Sequence, residues 1–114
     1  MTVTATQESE QTKKIFMNVI NKEFSIFKYR MLNNCPRAIY DSCNIIMFYE
    51  CVREYFLYNE NMDLRIIDVM YGEDNIISLL YHYYMQHEEC GVGTWEEIDE
   101  MIDMYINNKA VCKQ

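Results

Sequence analysis

A row of carboxylates near the end of the chain has the spacing of a single helix face. Its members recur at i, i+3, i+4 and i+7, which places them on one side of an α-helix within about two turns. They are Glu96, Asp99, Glu100 and Asp103, which we call the acidic face. Glu88 and Glu89 lie just upstream and would extend the negative charge. Such a surface resembles a row of phosphates and is suited to a basic protein groove that normally holds nucleic acid.

The alternative interpretation of the acidic face is a solvated helix surface that only aids solubility. A merely solvated helix usually mixes charges of both signs at i, i+4. Here the only Lys or Arg between Glu60 and Ile106 is Arg65. The scarcity of basic neighbours favours a role in binding, and it leaves the solubility interpretation open.

His87 and Cys90 are the second candidate for chemistry, because residues at i, i+3 of a helix can share a metal ion. Zinc usually takes four ligands, and His82 lies about 140° away from His87 around a helix. The segment also lacks the second histidine of an H-E-x-x-H motif. No G-x-S-x-G sequence, Gly-rich phosphate loop or nucleotide fingerprint is present. We therefore predict a protein that is not an enzyme and needs no cofactor, and keep a metal-dependent enzyme around His87 and Cys90 as an alternative.

Tyr83 is the candidate aromatic contact. In the run from Tyr81 to Tyr84, the first and last tyrosines fit the apolar side of a helix, whereas Tyr83 points elsewhere. An exposed tyrosine is typical of protein interfaces. Base stacking is disfavoured, because single-strand binders combine aromatic residues with a basic groove and this half of the chain is acidic.

Charge is divided unevenly along the chain. Residues 1–40 carry six Lys and Arg against three acids, whereas residues 41–114 carry fifteen acids against four bases, for a net charge of −8 overall. This balance argues against direct binding of nucleic acid and favours a basic protein partner. The five cysteines are odd in number, and the first residues have neither the basic nor the apolar segment of an export signal. We expect free thiols, a cytoplasmic location and no contact with a membrane.

The elements that must position these residues are predicted to be helices. Half of the 114 residues are apolar, and three glycines and one proline leave little turn chemistry for a many-stranded fold. We predict an all-α fold of about five helices in one compact orthogonal or bundle-like domain over residues 9–114, after a flexible tail over residues 1–8. The first predicted helix starts at a Ser9 cap, and the second runs over residues 36–58 with Asn34 or Cys35 as its cap. The third runs from its cap at Asp63 to Tyr71 and is ended by Gly72, and the fourth runs from a cap at Asp74 or Asn75 to about Glu88 and is closed by Gly91. The fifth begins at the capping box of Thr94 and Glu97.

The predicted core follows from the apolar sides of these helices. The helix over residues 36–58 is apolar nearly all round, so we expect it at the centre, and we expect Trp95 to anchor the last helix. The predicted core residues are Phe16, Ile20, Phe24, Phe27, Ile39, Cys43, Ile46, Met47, Phe56, Ile77, Leu80, Tyr84, Ile98, Ile102 and Tyr105.

Two stretches of the chain have a familiar layout. Residues 23–56 read EFSIFKYRMLNNCPRAIYDSCNIIMFYECVREYF, and residues 75–102 read NIISLLYHYYMQHEECGVGTWEEIDEMI, which includes the start of the acidic capped helix. The layout resembles a family of short uncharacterised helical proteins carried by phages and mobile elements of gut Firmicutes. The resemblance implies a mobile-element setting, and it supplies neither an activity nor functional residues. Small acidic proteins in such a setting often inhibit host or defence machinery.

The first function hypothesis is therefore a small acidic protein that binds a nucleic-acid-binding protein of the host or of a defence system and inhibits it, as an anti-CRISPR protein does. The acidic face, Glu88, Glu89 and Tyr83 would form the contact. The alternative hypothesis is a self-associating helical interaction module, such as a homodimer, without nucleic-acid mimicry.

Overall fold

Six α-helices and no strand make up the part of the chain that the computed structural model describes, residues 5–62, 64–87 and 90–112. They are α1 (Ala5–Leu32), α2 (Pro36–Asp41), α3 (Cys43–Tyr58), α4 (Arg65–Val69), α5 (Ile76–Gln86) and α6 (Trp95–Cys112). The predicted all-α fold class is confirmed. None of these helices combines the length and the hydrophobicity needed to cross a bilayer.

The first helix starts earlier than the sequence predicts. α1 begins at Ala5, so the prediction that Ser9 caps it is wrong, and residues 5–8 of the expected tail belong to the helix. Alanine, glutamine and glutamate in this stretch are good helix formers. Residues 1–4 lie outside the described part of the chain.

The predicted single helix over residues 36–58 is in fact two helices. Ser42 separates α2 from α3, with φ −98° and ψ 10°, and its N–H donates to the carbonyl oxygens of both Ala38 and Ile39 at 3.1 Å. Neither glycine nor proline marks this break in the sequence. Aspartate and serine, adjacent here at positions 41 and 42, favour non-helical backbone because their side chains compete for backbone hydrogen bonds. The predicted cap at Cys35 is confirmed, with Pro36 in the first turn of α2.

α1 and α3 run antiparallel and form one side of the core. The Phe16 and Phe56 rings meet edge to face with centroids 5.2 Å apart, and the Phe27 and Tyr49 rings stack at 3.9 Å. The residue numbers rise along one helix as they fall along the other, which defines the direction of packing. α5 and α6 close the core from the other side, and α4 packs against α6 and α1.

The buried core confirms much of the prediction. The predicted residues that are buried are Phe16, Ile20, Phe56, Ile77, Leu80, Ile98, Ile102 and Tyr105. Phe24, Phe27 and Tyr84 are partly buried against them, and Ile39 and Ile46 are also partly buried. The core also contains residues that the prediction left out: Phe48, Tyr49, Val52, Tyr55, Met62, Ile66, Ile67, Met70, Ile76, Val92, Met101 and Ile106.

The prediction of burial is wrong for three of the core and anchor residues. Cys43 is exposed, Met47 is 49 % exposed, and Trp95 is 44 % exposed, so Trp95 does not bury itself as an anchor. The break at Ser42 explains the first two, because α3 starts anew there and buries only one side, centred on Val52. Trp95 is the first residue of α6, where the helix has only begun to meet its neighbours.

Predicted and observed ends of the short helices differ by a few residues. α4 is capped by Leu64, and the predicted cap Asp63 lies outside the described residues. Asn75 caps α5, as one of the two predicted residues, without a side-chain hydrogen bond. α5 ends at Gln86 with His87 as its C-cap, so the predicted end near Glu88 and closure by Gly91 are wrong.

Gly72 is held in a conformation that favours glycine, as predicted. It lies two residues beyond the C-cap of α4 at φ +85°, and no atom lies within 4 Å of the position that a Cβ would occupy. We expect Gly72→Ala to lower the free energy of unfolding by about 1–2 kcal/mol through backbone strain alone. Urea denaturation of both proteins measures this loss.

Gly72→Asn is the matched control for that strain. Asparagine enters the left-handed region more readily than alanine, so the loss should be smaller for Gly72→Asn. An alanine variant as stable as the original chain, or an asparagine variant that loses more, would contradict the backbone explanation.

Candidate functional site

The acidic face is carried by α6, whose start is fixed by the predicted cap. The Glu97 N–H donates to the Thr94 hydroxyl oxygen at 3.1 Å, which satisfies one free backbone donor of the first turn. The Thr94 hydroxyl donates in turn to the Glu97 carboxylate at 3.4 Å, in place of the predicted bond from the Thr94 N–H. The same carboxylate covers Gly91, where a Cβ would lie 1.8 Å from Glu97 Oε2. The beginning of the helix is therefore well defined.

Asp99 belongs to the packing between two helices. Its carboxylate accepts a hydrogen bond from the Tyr55 hydroxyl, and Tyr55 is fully buried on α3. A buried hydroxyl needs a partner, since leaving it unsatisfied costs roughly 1–3 kcal/mol. Asp99 therefore holds α6 against α3, and its carboxylate is only partly accessible to a partner protein.

Asp103 is neutralised by the lone arginine of this region. Arg65 Nη2 lies 2.7 Å from Asp103 Oδ1, and Asn107 Nδ2 donates to Asp103 Oδ2 at 3.4 Å. Arg65 stands at the start of α4, so this pair joins α4 to α6. Both side chains are more than half exposed, and the pair therefore contributes little to stability, about 0–1 kcal/mol.

Glu96 and Glu100 are the free members of the acidic face. Both are exposed, they lie one turn apart on the outer side of α6, and neither forms an ion pair or hydrogen bond with another described residue. Glu88 and Glu89 lie outside the described residues. Of the four carboxylates that the spacing placed together, two are thus open to a partner and two have contacts inside the fold.

Tyr83 lies between α5 and α6. Its hydroxyl accepts a hydrogen bond from Asn108 Nδ2 at 2.7 Å, its ring stacks on His87 at 4.0 Å, and it meets Tyr105 edge to face at 5.4 Å. It is half-buried, whereas its neighbour His82 is exposed. The structure therefore gives Tyr83 a packing role, and any contact with a partner would use only the rim of its ring.

Among the described residues, His87 and Cys90 do not belong to a set of three metal ligands. His87 stacks on Tyr83, and the Cys90 sulfur lies 4.0 Å from the Met104 sulfur. In the described ranges, no three His, Cys, Asp or Glu side chains are grouped so that they could hold a metal ion. The four cysteines whose side chains are described, Cys35, Cys43, Cys51 and Cys90, are free thiols.

The structure adds a groove that sequence reasoning missed. It lies between α1 and the start of α5, and its volume is about 580 Å³. Its lining residues are Ile15, Asn18, Val19, Lys22, Glu23, Ile26, Phe27, Arg30, Tyr49, Asp74, Asn75 and Ser78. We call it the α1–α5 groove. A smaller apolar groove of about 270 Å³ lies between α3 and α5 and includes the exposed Met47 and Met85.

Glu23 forms the floor of the α1–α5 groove, and it is the buried charged residue of the described core, with 7 % of its surface exposed. Its two carboxylate oxygens accept the N–H groups of Ile77 at 2.7 Å and Ser78 at 2.9 Å, which are free donors of the first turn of α5. Burial raises the pKa of Glu23 above its usual value, and the backbone hydrogen bonds oppose that rise. Glu23 thus acts as a cap for α5, supplied by another helix.

Tyr49 completes the floor of the groove. Burial raises the pKa of its hydroxyl, and a hydrogen bond with the Ser78 side chain opposes the rise.

The signal in the sequence that could have indicated this groove is Glu23 itself, an acid on the apolar side of α1 between Ile20 and Phe27. A carboxylate in that position needs donors from elsewhere in the fold.

Comparison with known proteins identifies no relative of this chain. No protein-family model, no curated protein and no solved structure matches it. Function therefore has to be inferred from the two free carboxylates of α6 and from the α1–α5 groove.

Proposed function

We propose that this chain is a small non-enzymatic protein of the host-cell cytosol that binds a basic, nucleic-acid-binding protein and inhibits it, with Glu96 and Glu100 in place of phosphates. The observation that carries the proposal is the exposed pair itself, which no basic residue of the described chain neutralises. A mobile-element setting, in which the target belongs to the host or to a defence system such as a CRISPR effector, is part of the proposal. It rests on the resemblance of residues 23–56 and 75–102.

The rigidity of α6 supports this role. The Thr94 cap fixes its start and the Tyr55–Asp99 hydrogen bond holds one flank against α3, whereas the exposed Arg65–Asp103 pair adds only a weak contact with α4. A pair of charges held on a fixed helix loses less conformational entropy on binding than a pair on a loop. Asp99 therefore contributes to binding by positioning Glu96 and Glu100.

Charge also sets how such a complex would form. Residues 41–114 have eleven more acids than bases, so their field attracts a basic partner from a distance. Exposed charge pairs are screened by salt, since the Debye length is about 8 Å at physiological ionic strength. Binding should accordingly weaken steeply as salt is added and should compete with nucleic acid for the same groove.

We expect the double variant Glu96→Lys/Glu100→Lys to bind its partner at least about tenfold more weakly, because each reversal turns an attraction into a repulsion. The partner would first be captured on the immobilised chain from a nuclease-treated lysate of the cells that carry the gene, eluted with salt, identified and purified. Titration calorimetry at two salt concentrations then gives the affinity of each variant. Circular dichroism should show an unchanged fold, because both positions are exposed.

The matched control is Glu50→Lys/Glu54→Lys. These two residues are also exposed and four apart, and they lie on α3, so the change in net charge and spacing is the same. Equal weakening by the two double variants would show a general effect of net charge and would contradict a specific role for α6. A complex that double-stranded DNA does not displace would contradict the phosphate-like mode of binding.

A further inference from the structure

The α1–α5 groove leaves apolar side chains uncovered. Ile15 is 56 % exposed and Ile26 is 44 % exposed, and both lie along the α1 side of the groove. They are eleven residues apart, so they extend over about 16 Å of helix. Partly covered Val19 and Phe27 continue the apolar surface inward. A surface of this shape is large enough to seat a helix.

The two sides of the groove carry opposite charges. Lys22 and Arg30 lie on the α1 side, and Asp74, just before α5, lies on the other. All three are exposed, and none forms an ion pair with another residue of the described ranges. The groove therefore has one basic edge and one acidic edge with apolar residues between them.

The Glu23 carboxylate does not indicate a binding site for a small cationic ligand. Both of its oxygens already accept backbone N–H groups of α5, at 2.7 and 2.9 Å. Lys22 and Arg30 at the edge would in addition repel a cation from this floor. What remains unsatisfied is the apolar surface and the charge of the two edges, and these suit a macromolecular surface.

We propose that the α1–α5 groove is the interface of a homodimer, in which a two-fold axis runs along the groove and places α1 of each copy over the start of α5 in the other. This operation puts the basic edge of one copy on the acidic edge of its partner, twice, as an isologous interface requires. A two-fold axis across the groove would instead place α1 on α1 and bring like charges together, which is unfavourable. The basic balance of residues 1–40 against the acidic balance of residues 41–114 favours the same arrangement.

Sedimentation equilibrium of the full chain over a wide range of concentration tests the dimer and gives its dissociation constant. We expect K22E and D74K each to weaken dimerisation at least about tenfold, because each one places two like charges together at both edges. An equimolar mixture of the two variants should recover dimerisation, because the mixed dimer keeps the Lys22–Asp74 contact at one edge and joins the two introduced charges, which are of opposite sign, at the other. Damage to the fold of either variant cannot produce such recovery.

Three controls separate the interface from other effects. K28E makes the same charge change on α1 outside the groove and should leave the dimer unchanged. I26S should weaken the dimer, whereas L32S, at an exposed leucine beyond the groove, should not. E96K/E100K should also leave it unchanged, so the dimer and the proposed binding through α6 succeed or fail separately.

Three results would overturn the proposed dimer interface: a chain that is monomeric at every concentration, K22E and D74K variants that dimerise as the original chain does, or a mixture of the two variants that stays monomeric. Recovery in the mixture, with K28E unaffected, supports the axis along the groove.

Discussion

Glu23→Ala lowers the free energy of unfolding by about 3 kcal/mol, the largest loss we expect from a polar substitution in this chain. The variant leaves the Ile77 and Ser78 N–H groups at the start of α5 without an acceptor, and hydrogen bonds to a charged group are worth about 1.5–3 kcal/mol each. Relief of the cost of burying a carboxylate offsets part of that loss. Urea denaturation followed by circular dichroism measures the difference.

Glu23→Gln is the matched control, since it keeps the shape of the side chain and one accepting oxygen. It should cost less than Glu23→Ala, because one of the two N–H groups keeps a partner. Glu10→Ala, at an exposed glutamate of the same helix, should change the free energy of unfolding by less than about 0.5 kcal/mol. Equal and small losses in all three variants would contradict the capping role of Glu23.

The same residue makes stability depend on pH. The pKa of Glu23 is raised in the folded chain, so the folded state binds the proton more tightly than the unfolded state does. This contribution to stability is fully present below the usual pKa of glutamate and is lost as the pH rises through the raised value. The free energy of unfolding of the original chain minus that of Glu23→Gln should therefore fall across that range as the pH increases. A signed difference that rises with pH would contradict this direction.

The charged groups around Glu23 keep this comparison interpretable. Lys22 and Arg30 on α1 and Asp74 before α5 line the same groove, and Tyr49 lies on its floor. Asp74 is the second carboxylate that lines the groove, so the same measurement on an Asp74→Asn background isolates the effect of Glu23.

Asp99→Lys should destabilise the fold by about 3 kcal/mol, whereas Glu100→Lys, next to it in the acidic face, should change stability by less than about 0.5 kcal/mol. The first substitution removes the acceptor of the buried Tyr55 hydroxyl and places an ammonium group against the α3–α6 contact. The second changes an exposed carboxylate without a partner in the described chain. Thermal and urea unfolding of the two variants measure the contrast.

A double-mutant cycle isolates the hydrogen bond. Tyr55→Phe and Asp99→Asn are measured alone and together, and a coupling energy of about 1 kcal/mol or more is expected for residues in direct contact. Additive losses would show that Asp99 does not depend on Tyr55. In that case the Asp99 carboxylate would be available to a partner protein, as those of Glu96 and Glu100 are.

Local signals in the sequence predicted much of the fold. Thr94 and Pro36 mark helix starts through hydrogen bonding and a fixed φ angle, and both act where expected. Gly72 has the expected positive φ angle, but the predicted helix end at Tyr71 is wrong, because α4 ends at Val69 with Met70 as its C-cap. Apolar spacing likewise identified the buried sides of α1, α5 and α6. These features depend on residues within a few positions of each other, so a single sequence contains them.

The contacts that distinguish Asp99 and Asp103 from the free Glu96 and Glu100 could not be predicted, because they join residues far apart in the sequence. Asp99 meets Tyr55 across 44 positions, and Asp103 meets Arg65 across 38. Spacing shows which residues share a helix face, but it does not show which neighbouring helix approaches that face. The break at Ser42 was missed because Ser and Asp shift backbone preferences only weakly, and the packing of α2 and α3 decides the outcome.

The cap that Glu23 supplies makes the start of α5 a property of the assembled fold. α5 has eleven residues and no side-chain cap of its own, and isolated helices shorter than about 12–15 residues are marginal in water. Its first turn is completed by a carboxylate 54 positions upstream, on α1. The cap of α5 is therefore present only when α1 lies in place against it. Any process that lifts α1 from the body, whether truncation, proteolysis or the pull of a partner, uncaps the first turn of α5 and exposes the floor of the groove, while the packing of α5 on α3 and α6 is left.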